Sequence, residues 1–207
     1  MRKFIKILIA PALIIILLSA CKTSPESNKT QNSDYSFMEV GKETVNGLKY
    51  CFNELSKGEY ANYDETMLAF KEIVTSFMLS NYLSGNNVNN DSLSMLAFID
   101  EMFDKASKAD SEKISLISEV DTKDFNESEY AALQQLNSIV LSAENSSFED
   151  FQESINAFNS SVISSETISE KNKELLLSAS AVGKYTSQYW KENVEDWKDL
   201  FPPNCPK

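Results

Sequence analysis

The chain has 207 residues, 42% of them hydrophobic, and a formal charge of −12 from 19 Lys and Arg against 31 Asp and Glu. Such acidity repels phosphate backbones and anionic head groups, which argues against nucleic acid and against a polybasic role at a lipid surface. The sequence contains no histidine, so it holds no Ser-His-Asp or Cys-His catalytic site, no His-containing zinc site and no histidine pH switch.

Taken in chain order, Arg2, Lys3 and Lys6 form a basic opening, and Ile7 to Ala20 is a fourteen-residue apolar run interrupted by Pro11. A helix needs roughly 20 apolar residues to cross about 30 Å of hydrocarbon, so this run reads as the core of a signal peptide rather than a membrane span. It ends in Leu18-Ser19-Ala20-Cys21. With the basic opening, these four residues resemble the lipobox of a bacterial lipoprotein precursor. The resemblance implies removal of residues 1–20, acyl chains such as palmitate on Cys21, and a membrane anchor outside the cytoplasm. Each buried methylene contributes roughly 0.8 kcal/mol, so two or three chains hold a protein on a membrane where one does not. Lys22 stands where an Asp would retain a Gram-negative lipoprotein at the inner membrane, which favours the outer membrane. Without residues 1–20 the chain keeps 16 Lys and Arg against 31 Asp and Glu, a charge of −15.

Cys21 and the polar stretch to residue 35 read as a lipidated, flexible tether, because so few apolar side chains cannot offset the entropy of ordering. Residues 36–207 read as the folded part. Val45, Leu48, Phe52 and Leu55 predict a first helix, with Gly58 as its stop. Asn62 and Glu65 form a capping box for a second, running through Met67, Phe70, Val74, Phe77 and Met78 to Gly85. Asp91 caps a third, with one stripe of Leu93, Leu96, Ile99 and Phe103 and another of Met95, Phe98 and Met102. Residues 112–120 fit a short helix or a strand and are assigned to a helix. A fifth helix starts from Asn126 and carries Tyr130, Leu133, Leu136 and Val140; a sixth, capped by Ser147, carries Phe148, Phe151, Ile155, Phe158 and Val162. Thr167 and Glu170 predict a further capping box before a long helix to Leu200. With five Gly, five Pro and no sustained alternation, the expected fold is all-α, a single bundle of six to seven helices.

Few features point to chemistry. Phosphate-binding glycine loops are absent, and no cofactor or metal is expected. Asn87, Asn89 and Asp91 alternate like calcium ligands, but Ser92 and Phe98 replace the Gly and Glu that such a loop requires. Glu127-Ser128 and Glu153-Ser154 lack the surroundings of a glycan-cleaving helix, and carboxylate hydrolysis is the last reading. Cys51 and Cys205 invite a disulfide in an oxidising compartment; the alternative is a buried Cys51 and a free Cys205. Tyr185, Tyr189, Trp190 and Trp197 form the most unusual cluster. Either they pack the last helix onto the bundle or they form an exposed, partner-binding aromatic ridge, with Ser178 to Gly183 allowing close helix approach. The functional expectation is a non-catalytic binding or accessory lipoprotein of the envelope with a protein partner. The alternative is an immunity or inhibitor protein capping a basic toxin or enzyme.

Overall fold

The computed structural model describes residues 36–82, 96–104 apart from 98 and 102, 122–123, 125–143 and 146–201. The protein is an all-α bundle, with no strand among the described residues. Among the described residues its helices are α1 (Ser36–Leu55), α2 (Tyr63–Tyr82), α3 (the helical residues between 96 and 104), α4 (Glu127–Ser142), α5 (Phe148–Ser164) and α6 (Glu170–Leu200). The tether, residues 112–120, Cys21, Cys205 and the Asn87–Asp91 alternation lie outside the described residues. No helix of the described residues is long and apolar enough to cross a membrane.

The helices divide into two compact units. Of the described residues, the first takes those within 43–110 and 192–201, and the second takes those within 36–42 and 111–191. The first unit thus holds α2, α3 and the ends of α1 and α6, and the second holds α4, α5 and the beginnings of α1 and α6.

In the first unit, Leu48, Cys51 and Leu55 recur on one face of α1 and are almost wholly buried, as are Phe70, Val74 and Met78 on α2 and Ile99 on α3. After Leu55 the chain turns through Gly58 N–H to Leu55 C=O at 3.1 Å. A side chain at Gly58 would meet the outer end of the Tyr60 ring, which would have to swing aside. The forward arm of the α2 cap forms, with Glu65 N–H donating to Asn62 Oδ1 at 3.0 Å, while the Glu65 carboxylate accepts from the Ala61 N–H at 2.9 Å, one residue before the cap.

In the second unit, Leu133 and Leu136 of α4 and Phe151, Ile155, Phe158 and Val162 of α5 are buried on helical spacing. Ser147 caps α5 by accepting from Asp150 N–H at 3.0 Å. Beside this apolar stripe, α5 and α6 pair along a polar ladder. Lys191 reaches Glu149 at 3.1 Å, Gln152 donates to the Ser187 hydroxyl at 3.4 Å, Lys184 donates to Asn156 at 2.9 Å, and Ser180 donates to Asn159. The rungs advance by three or four residues along α5 and retreat by a similar step along α6, as antiparallel neighbours require. The start of α1 joins this unit through Gly41. A Cβ there would stand 2.5 Å from the Tyr185 ring and 2.8 Å from the Ala181 carbonyl, so only glycine permits the contact. The small residues of α6 do allow close helix approach, with Gly41 as the partner.

The expected capping box at Thr167 and Glu170 does not form. Thr167 bonds the Ser165 hydroxyl at 3.1 Å and Glu170 pairs with Lys173 at 2.9 Å. Ser169 is the residue before α6, and its side chain is turned toward Glu129 of α4.

Candidate functional site

The aromatic residues of α6 were candidates for a partner-binding ridge, and their burial decides between ridge and core. In the first unit Trp197 is fully buried. It lies 5.4 Å from Phe52 and 5.6 Å from Phe70, centroid to centroid, and stacks on Phe201 at 6.3 Å. Phe70 also meets Phe103 at 5.8 Å and Phe201 at 6.1 Å, and Tyr63 closes the cluster on Phe201. In the second unit Tyr189 and Trp190 are buried edge to face at 5.2 Å, and Tyr185 is half-buried against Gly41. Of the two alternatives, burial of Tyr189, Trp190 and Trp197 matches packing of the last helix, with Tyr185 half-buried beside them.

One concave feature of the first unit's described residues is an open groove of about 750 Å³ between α2 and α3. Leu68, Leu79 and Leu96 give it an apolar floor, and Thr75, Ser76, Ser80 and Glu72 supply polar groups. Lys71 and Asp100 bridge its two helices at 2.5 Å. Leu68 is 59% exposed, the highest value among the exposed large hydrophobics of the described residues. Periodicity placed Phe70 and Val74 in the core, but the groove comes from the opposite face of the same helix, which an apolar stripe does not flag.

Glu129 is the second residue that sequence reasoning missed. It is 2% exposed, yet it stays ionised. Asn126 caps α4 by accepting from Glu129 N–H at 2.9 Å, and the Glu129 carboxylate accepts from Asn126 N–H at 2.8 Å. The same carboxylate accepts from the Ser169 hydroxyl at 2.6 Å and the Ser169 N–H at 2.9 Å. Hydrogen bonding, led by the Ser169 hydroxyl and opposed by burial, holds its pKa down at about 2. Asn126-x-x-Glu129 is a legible capping pattern; Ser169, forty positions away, is not.

Cys51 is a buried free thiol whose pKa is pushed up to about 12, chiefly by desolvation. Glu127 and Glu153 are exposed on α4 and α5, apart from any described cavity. Among the described residues, no group of three or more His, Cys, Asp or Glu is placed to hold a metal ion. No family model, curated protein or solved structure matches the chain.

Proposed function

We propose that the chain is a lipid-anchored envelope lipoprotein whose helical part is a non-catalytic binding or accessory module, facing the periplasm or the cell exterior. The observation that carries this reading is Leu18-Ser19-Ala20-Cys21 at the end of a basic and then apolar segment. Lys22 favours the outer membrane as the site of the anchor. The contact surface assigned to the module is the α2–α3 groove, because it combines an exposed leucine with a rim of hydroxyls and charges. Metabolic labelling with radioactive palmitate tests the anchor. Label on the wild-type chain and none on Cys21→Ser is the expected result; equal label on both sinks the lipoprotein reading. Affinity capture from solubilised envelope with Leu68→Glu as control tests the module, the expected result being one protein lost with the substitution.

The charge of −15 favours a second reading, an immunity or inhibitor protein that caps a basic toxin or enzyme. Its mark is capture that weakens steeply with salt and protection of cells on co-expression. Carboxylate-based glycan hydrolysis is the third reading, and turnover of envelope glycans by the purified chain is what would promote it.

A further inference from the structure

The N-terminal turns of α4 and α6 both end on one carboxylate. Glu129 accepts from Asn126 N–H on its own cap and from the N–H and hydroxyl of Ser169 at the start of α6. Asn126 closes the clasp by donating to Thr167 C=O at 3.0 Å. We propose that Glu129 is an acid-released latch: its ionised carboxylate holds these two helix beginnings together, and its protonation opens that junction locally.

The chemistry of the partners supports this. Two of the donors are backbone N–H groups, which cannot turn into acceptors for a carboxylic proton. Hydrogen bonds to a carboxylate are roughly twice as strong as those to a neutral acceptor, so protonation weakens both at once. An anion also suits two converging helix N-termini, where unsatisfied N–H groups carry partial positive charge. The groups facing Glu129 are Asn126 from its own element and Ser169 and Asn172 from the start of α6, none of them titratable. The charged residues nearby in sequence do not set its state: Glu127 is exposed, Glu170 pairs with Lys173 at 2.9 Å, and Lys171 is exposed. Opening would bare Ile168, now 8% exposed.

Sign and window follow by linkage. The folded pKa lies near 2 and the ordinary value is 4.5, so the latch is at full strength above about pH 4.5 and weakens as pH falls toward 2. Full release corresponds to about a 300-fold change in the opening equilibrium. The test is NMR on the full chain in detergent micelles, following the Glu129 side-chain carboxyl carbon and exchange of the Asn126 and Ser169 amides from pH 6 to 2. Expected are a Glu129 midpoint well below that of the exposed carboxyls and, on acidification, a loss of protection at Asn126 and Ser169 that Leu136 does not share. Glu129→Gln should make protection at these two amides low and independent of pH. Should Glu129→Gln fail to fold, Ser169→Ala keeps the charge and should raise the Glu129 midpoint. A midpoint near 4.5, or protection that falls evenly across α4, overturns the proposal.

Discussion

In the first unit six rings, Phe52, Tyr63, Phe70, Phe103, Trp197 and Phe201, meet around Phe70 and Trp197, whereas in the second the α5–α6 pairing runs along amide, hydroxyl and ammonium groups. Ring packing rewards buried area and tolerates many angles. A ladder of hydrogen bonds is worth less per contact, but its part-buried rungs at Gln152 and Asn159 favour one register, because either left unmade strands a polar group. One unit therefore draws more of its stability from burial, and the other draws more of its helix register from polar pairing.

Removing the central ring should produce the largest effect. Trp197→Ala deletes a fully buried side chain with three ring neighbours and should cost about 3–5 kcal/mol in chemical denaturation. A cost under 1 kcal/mol would contradict the account of the first unit. The glycines sharpen the second unit. Gly41→Ala drives a Cβ into Tyr185 and the Ala181 carbonyl, and should cost about 1–3 kcal/mol despite its better helix propensity. Gly183→Ala meets Phe151 at an ordinary 3.9 Å, so propensity should prevail and raise stability by up to about 1 kcal/mol. Opposite signs in parallel melts are the expected result. On the ladder, Asn159→Ala leaves the buried Ser180 hydroxyl without that partner and should cost about 1 kcal/mol. The smallest effect belongs to the exposed end, where Glu149→Gln removes a solvent-screened pair with Lys191 and should leave the denaturation midpoint unchanged.

Most of the fold was legible because apolar side chains at helical spacing do become buried. Phe151, Ile155, Phe158 and Val162 are the clearest case, and the α2 and α5 caps were readable from Asn62, Glu65 and Ser147. What escaped are contacts made by residues that an apolar count ignores. Val45 marked the first stripe of α1, but the helix begins at Ser36 and makes its tightest approach through Gly41. Thr44, Thr66 and Ser180 are fully buried although polar. At the start of α6, Thr167 and Glu170 had the letters of a capping box, yet a carboxylate from α4 took the Ser169 donors first. The aromatic run of α6 was visible, but spacing alone does not say whether an amphipathic helix hides its rings or presents them.

The buried thiol of Cys51 has a kinetic consequence. Alkylating reagents attack the thiolate, and a pKa raised from 9.0 to about 12 lowers that fraction about a thousandfold at mildly alkaline pH. With the side chain 2% exposed, modification has to wait for the surrounding helices to part. Under dilute reagent, the labelling rate of the Cys51 peptide therefore reports the fraction of time the first unit stands open, in an untouched sequence.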